Sequence, residues 1–268
     1  MNLQLVYDIT YQPTSIGDVL THLQAANCLA EERGSPGVEV VILHDDRQRK
    51  IEFLGQAARM SDRVVSVQVV HKRHEREVLR PRWFPKGNHY STYECWGLIT
   101  DFFTQHKRLP SIKPHHGLVA WAEDYLAGAI TLQVRASKHH PERNAKVEEW
   151  VKFVKANPVP IVIVCSPAER EARLSGPHVR FACDDFGLQQ QLALVYASRI
   201  HLGSASGPAQ MRWYQDKPFR VFSEPIKTNR VKGMTQMEGR KKMPWMTGFP
   251  LISGPETAGL IQTEFDAL

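Results

Sequence analysis

Three short stretches of this 268-residue sequence combine small, cationic and acidic residues in patterns that could do chemistry. The first, "GSASGPAQ" (203–210), closes an apolar run with small residues. It offers the hydroxyls of Ser204 and Ser206, a Gly207 backbone free to take angles closed to other residues, and Pro208, suited to the first turn of a helix. A helix starting there, "PAQMRWYQ", would present N–H groups and a positive dipole end to an anion. One exposed terminus contributes only about 0.3–1 kcal/mol, and roughly 2 when partly buried. A phosphate site therefore needs a second, cationic element; otherwise Ser-Gly-Pro is merely a tight strand-to-helix turn.

The second stretch, "VRASKHHPERNAKVEEW" (134–150), could be that element. Arg135 closes a strand, Lys138 follows three residues later and Arg143 precedes a helix. Charged hydrogen bonds to phosphate contribute about 1.5–3 kcal/mol each. The plain alternative is a set of solvated loop charges. His139 and His140 lack Cys or carboxylate partners at ligand spacing, so neither metal nor cofactor is expected.

The third stretch, "PTSIGDVLTHL" (13–23), places Gly17-Asp18 where a helix begins. Asp18 at the N-cap would stabilise that helix by roughly 1 kcal/mol. As a general base taking a proton from a hydroxyl, it would contribute about 10² to 10⁴ in rate. The readings compete, because a carboxylate bonded to its own helix amides is a weaker base.

Alternating apolar strands and amphipathic helices position all three stretches. "LQLVYDI", the helix ending near Gly34, "VEVVILH", "RQRKIEFLGQAARMS" and "RVVSVQVV" form a βαβαβ unit. Helices are expected at about 93–106 and over "LVAWAEDYLAG". Strands "AITLQVR", "VPIVIVCS", "HVRFAC", "IHLGSAS" and "FRVFSEP" then alternate with helices "KVEEWVKFVKAN", "PAEREARLS", "DDFGLQQQLALVYASR" and "GPAQMRWYQ". "ETAGLIQTEFDAL" is a closing helix able to pack on either half. The fold class is α/β, with two Rossmann-like doubly wound parallel-sheet units expected to face a central cleft. Expected boundaries are 1–128, 129–250 and a closing segment 251–268. Ligands of such sheets bind beyond the carboxyl ends of the strands, where all three stretches fall.

Hydrophobic content of 42% and charged content of 23% suit a globular domain, and no apolar stretch approaches the ~20 residues of a membrane span. "MNLQLVYDIT" does not read as a signal peptide, and four scattered cysteines without a CxxC pair read as reduced core thiols, so a cytoplasmic location is expected. The net charge of +6 gathers in 71–86 and 227–242. Solvated surface, phosphorylated ligands, an anionic membrane or nucleic acid could each account for it. Nucleic acid is not expected, for want of interleaved exposed aromatics on a recognisable binding fold. Peripheral membrane contact through 71–86, with Trp83 and Phe84, stays open.

"SIGDVLTHLQAANCLAEERG" resembles the acceptor-side loop and first helix of the heptosyltransferases, inverting glycosyltransferases of the two-Rossmann GT-B fold. "LQVRASKHHPERNAKVEEWVKFV" is similar to their donor-side strand, loop and helix, and 188–222 to the region that holds the donor diphosphate. Arg135 also resembles the strand-end arginine of the related fucosyltransferases. The resemblance implies Asp18 as catalytic base beside Gly17, Lys138 as the loop's phosphate ligand, and Ser206-Gly207-Pro208 in the phosphate-facing turn. Where the family has Asp-Ser-Gly this chain has Ala205-Ser206-Gly207, and Gln210 and Met211 stand where a His is usual. The expected function is thus metal-independent, inverting transfer from a nucleotide-diphosphate-sugar donor to a glycan or lipid-linked hydroxyl acceptor, the sugar unspecified. The alternatives are a nucleotide-sugar epimerase on the same fold and a basic nucleic-acid-binding protein.

Overall fold

The computed structural model describes residues 1–45, 51–81, 83–85, 92–137, 141, 144–222, 244–246, 251–252 and 256–268. The chain divides into two compact units, Met1–His116 and Gly117–Leu268.

The first unit carries a three-stranded parallel sheet of β1 (Leu3–Asp8), β2 (Val38–His44) and β3 (Val64–His71), in the order β1-β2-β3. On the far side of β1, Phe84 pairs with Leu5 in parallel, its N–H donating to the Gln4 carbonyl at 2.7 Å and its carbonyl accepting from Val6 N–H at 2.7 Å. Phe84 is buried, and partly buried Trp83 packs on Val6, Val41 and Leu43.

Helix α1 (Ile16–Glu32) follows β1 and packs against α2 (Ile51–Ala58), α4 (Thr92–His106) and β1 itself. A one-turn helix, α3 (Glu75–Val78), follows β3. α1 is buried nearly all round, which obliges its polar side chains to find partners. Gln24 Nε2 donates to the Pro110 carbonyl at 2.8 Å and Asn27 Nδ2 to Ser61 Oγ at 3.1 Å. Gly34, with φ of +61°, ends the helix in the left-handed conformation that favours glycine. The start differs from expectation: the N-cap is Ser15, in extended conformation, and Asp18 lies one turn inside.

The second unit holds a six-stranded sheet, parallel throughout, in the order β6-β5-β4-β7-β8-β9. Its strands are β4 (Ile130–Gln133), β5 (Ile161–Ile163), β6 (Val179–Phe181), β7 (His201–Ser204), β8 (Phe219–Phe222) and β9 (Leu251–Ile252). α5 (His116–Leu126) leads into β4, α6 (Val147–Ala156) joins β4 to β5, and α7 (Leu188–Ala197) joins β6 to β7. The expected helix over "PAEREARLS" is instead two 3-10 turns, Pro167–Glu169 and Ala172–Leu174.

The closing helix, α9 (Ala258–Asp266), packs on α6 in this unit, Ile261 joining Trp150 and Phe153 in one core. Two carboxylates secure it from opposite sides. Buried Glu256 accepts from Lys146 N–H at 2.7 Å and Trp150 Nε1 at 3.2 Å, at the start of α6. Glu149 accepts from Ala258 N–H at 2.8 Å, at the start of α9. Each acid meets the unpaired amides of the other helix.

Candidate active site

The donor-side candidates cluster where β4 and β7 end. These strands are neighbours with Gln133 opposite Gly203, and they approach so closely that a Cβ on Gly203 would lie 2.4 Å from the Gln133 carbonyl oxygen. Only glycine fits there. Beyond this contact, Ser206 Oγ donates to Gln133 Oε1, and Arg135 N–H points to Ser204 Oγ at 3.4 Å. Both serine hydroxyls are thereby engaged in joining the two strand ends, and both serines are buried.

The loop after β4 has a fixed stem. Ala145 N–H donates to the Arg135 carbonyl at 3.0 Å, Ser137 N–H to Asn144 Oδ1 at 2.9 Å, and Asn144 Nδ2 back to the Ser137 carbonyl at 2.9 Å. Lys138 and Arg143, expected to act from this loop, lie outside the described residues, as do His139 and His140.

After β7 the chain turns through 207–209 into a helix of one turn, α8 (Gln210–Trp213). Such a helix has too few aligned peptides to act as the dipole expected from "PAQMRWYQ". Its brevity has a cause in Arg212, whose guanidinium is fully buried. Nη1 donates to the carbonyls of Tyr196 (3.1 Å) and Ser198 (3.0 Å), and Nη2 to those of Arg199 (3.3 Å) and Pro218 (2.7 Å). The charge clasps the end of α7 and the approaches to β7 and β8, so the chain must return to β8 at once. Burial pulls its pKa down to about 10. Beneath it, His201 is fully buried, with Nδ1 3.0 Å from Thr131 Oγ1. Burial first, and the Arg212 charge second, depress its pKa to about 3, so the imidazole is neutral.

In the first unit the site is built around Asp18. Ser15 Oγ donates to Oδ2 and Thr92 Oγ1 to Oδ1, while Ser15 Oγ also accepts from Asp18 N–H at 3.2 Å. Among the described residues two hydroxyls hold the carboxylate, where the cap reading required its own helix amides. The Asp18 carbonyl lies 2.8 Å from His22 Nδ1, and the His22 ring meets Tyr7 edge-on at 5.0 Å. Burial, reinforced by the Asp18 and then the Cys95 charge, raises the Tyr7 phenol well above its ordinary value, so its O–H stays a donor, to the Pro13 carbonyl at 2.6 Å. Gly17 is buried in the same turn, its carbonyl accepting from Thr21 Oγ1 at 3.0 Å.

Beside this turn, where β1 and β3 end, Lys72 Nζ donates to Asp8 Oδ2 (2.9 Å) and Thr10 Oγ1 (2.8 Å) and sits 4.0 Å over the Tyr11 ring. Partial burial lowers the Lys72 pKa, but the bonds to Asp8 and Tyr11 outweigh it and leave it raised.

No family model and no curated protein sequence matches this chain. Solved structures do. Escherichia coli ADP-heptose lipopolysaccharide heptosyltransferase II superposes with a TM-score of 0.60 at 10% identity, covering 100% of this chain and 98% of that one. Escherichia coli heptosyltransferase WaaC with ADP gives 0.55 at 14% identity, with coverage of 99% and 97%. A glycosyl transferase of family 9 from Veillonella parvula gives 0.52 at 13% identity, with coverage of 83% and 80%. The fold is that of the heptosyltransferases.

Within this heptosyltransferase fold, Arg135, Ser204, Ser206 and Gly207 lie together at the ends of β4 and β7, and Gly17 and Asp18 lie in the first turn after β1. Gln133, Arg212, Ser15 and Thr92 were not anticipated. The pattern "SIGD" carried a signal for Ser15, an N-cap serine with an acid three residues later. Thr92 stands 74 residues from its partner and has no local signature.

Proposed function

We propose that the chain is a glycosyltransferase that moves a sugar from a nucleotide-diphosphate-sugar to a hydroxyl acceptor, metal-independent and with inversion. The observation that carries this reading is the convergence of Gln133, Arg135, Ser204 and Ser206 on one pair of strand ends, in a chain with the heptosyltransferase fold from end to end. Strand ends of a parallel sheet are where such folds take nucleotides. ADP accompanies one of the neighbours, which supports a nucleoside diphosphate here.

In this reading the second unit holds the donor. Arg135, Lys138 and Arg143 supply positive charge to the diphosphate, and the backbone of the 204–207 turn lies against it. Ser204, whose Oγ accepts from Arg135 N–H, and Ser206, whose Oγ donates to Gln133 Oε1, shape that turn. The first unit holds the acceptor, a glycan or lipid-linked alcohol. Asp18, oriented by Ser15 and Thr92, takes the acceptor's hydroxyl proton. The oxygen attacks the anomeric carbon from the face opposite the diphosphate, the carbon–oxygen bond to phosphate breaks, and cationic side chains stabilise the departing charge.

The test is acceptor-dependent release of nucleoside diphosphate from a panel of nucleotide sugars, by wild type and Asp18→Asn. Transfer to acceptor by wild type, with release falling about 10²-fold or more in the variant, is expected. Turnover to an epimerised or free sugar without acceptor would contradict transfer.

A further inference from the structure

The second unit brings two thiols together in a way the sugar-transfer reading does not use. Cys165 follows β5, and Cys183 lies in the 3-10 turn Ala182–Asp184 after β6. The β5–β6 register pairs Ile161 with Val179 and Ile163 with Phe181. Carried two residues further, it sets Cys165 opposite Cys183, and their Sγ atoms are 3.4 Å apart. Disulfides form between residues whose Cα atoms lie about 4.4–6.8 Å apart, a range that includes the ~4.8 Å spacing of adjacent strands. Bringing the sulfurs to about 2.05 Å asks for a shift of little more than 1 Å from their 3.4 Å separation.

The two positions differ in access. Cys165 is buried, with its N–H donating to Gln191 Oε1 at 3.1 Å, whereas Cys183 is partly exposed. Beside Cys183, Arg170 grips Asp184 through Nε–Oδ1 (2.8 Å) and Nη2–Oδ2 (3.1 Å), and Cys183 Sγ lies 3.8 Å from Asp184 Oδ1. Arg170 also covers the Phe181 ring at 4.2 Å, which keeps it at this turn.

We propose that Cys165 and Cys183 form a reversible dithiol–disulfide pair, oxidised by a low-molecular-weight disulfide. The Cys183 thiolate attacks one sulfur of the small disulfide, whose S–S bond breaks to leave a mixed disulfide and one thiolate. Cys165 then attacks Cys183 Sγ, the mixed S–S bond breaks, and a second small thiolate departs. The two protein thiols lose two electrons and two protons, and the small disulfide becomes two thiols. Burial pushes the Cys165 thiol up, which suits it to the resolving rather than the attacking role. The new bond ties the turn after edge strand β6 to the end of β5 and closes a loop holding both 3-10 turns.

The test treats the reduced, folded chain with oxidised glutathione, blocks remaining thiols, and maps the peptides by mass. Wild type is expected to lose the mass of two hydrogens, to give a Cys165–Cys183 linked peptide, and to regain the original mass with dithiothreitol. Cys165→Ser should stop at a glutathione adduct on Cys183, and Cys183→Ser should leave Cys165 unmodified. Wild type that stays unmodified, or stops at a stable adduct on Cys183, would overturn the proposal. The wild-type map is decisive even where a variant folds poorly, and it is independent of any sugar transfer.

Discussion

Thr92 donates its hydroxyl to Oδ1 of Asp18 from the start of a helix 74 residues further along the chain. With Ser15 on Oδ2, this orients the carboxylate from both of its oxygens. Thr92→Val keeps the shape and removes the donor. The expected outcome is a fall in kcat of about tenfold, with the donor KM unchanged and a stability loss near 1 kcal/mol. Steady-state kinetics beside urea unfolding check this; wild-type kcat in Thr92→Val would remove Thr92 from the site.

Gly203 tests the contact between the ends of β4 and β7, beneath the proposed donor site. A methyl at this position meets the Gln133 backbone, which has no freedom to yield. Gly203→Ala should destabilise by about 1–3 kcal/mol or fail to accumulate folded. Gly259→Ala, in open space near the start of α9, should be neutral or stabilising by up to about 1 kcal/mol. Chemical denaturation of the two variants checks the contrast.

His201 gives a pH dependence of definite sign. Its folded pKa of about 3 lies below the ordinary 6.5, so the unfolded chain takes up the proton first as pH falls. Stability should therefore decline by about 1.4 kcal/mol per pH unit from ~6.5 toward ~3 on account of this residue. His201→Asn should flatten the slope by that amount. Urea melts between pH 7 and 4 measure it, and equal slopes in the two proteins would contradict the assignment.

Arg212 donates to four carbonyls, two of them shared: Lys217 Nζ also donates to Tyr196 at 3.1 Å and His201 N–H to Pro218 at 3.3 Å. Arg212→Lys keeps the charge but cannot span them with one ammonium. A loss of about 2–4 kcal/mol is expected, with donor affinity weakened because the 207–213 turn loosens. Thermal unfolding and nucleotide binding on the same variant separate the two effects.

Much of this was readable in the sequence. β2 and β5 are near-continuous runs of Val, Ile and Leu, the usual spelling of a strand buried on both faces. The small residues at 203–207 marked the strand end correctly, since Gly203 answers a close approach. What escaped depended on partners distant in sequence. Asp18 was placed at the cap because "SIGD" permits a start at either polar residue, and only the extended backbone of Ser15 decides it. The helix after Pro208 shrank because Arg212 reaches back to Ser198 and forward to Pro218, a constraint with no periodicity. Cys165 and Cys183 looked scattered because strand register, not spacing, brings them together.

The most direct measurement of the central claim is the thermal shift of the chain with a panel of nucleoside diphosphates and their sugar conjugates, for wild type and Arg135→Ala. At ~100 times its Kd, a nucleotide that binds the folded state adds about 2.7 kcal/mol of stability. The account expects one nucleobase to stand out in wild type and its shift to shrink sharply in Arg135→Ala. No shift with any nucleotide, or an undiminished one in Arg135→Ala, would contradict it.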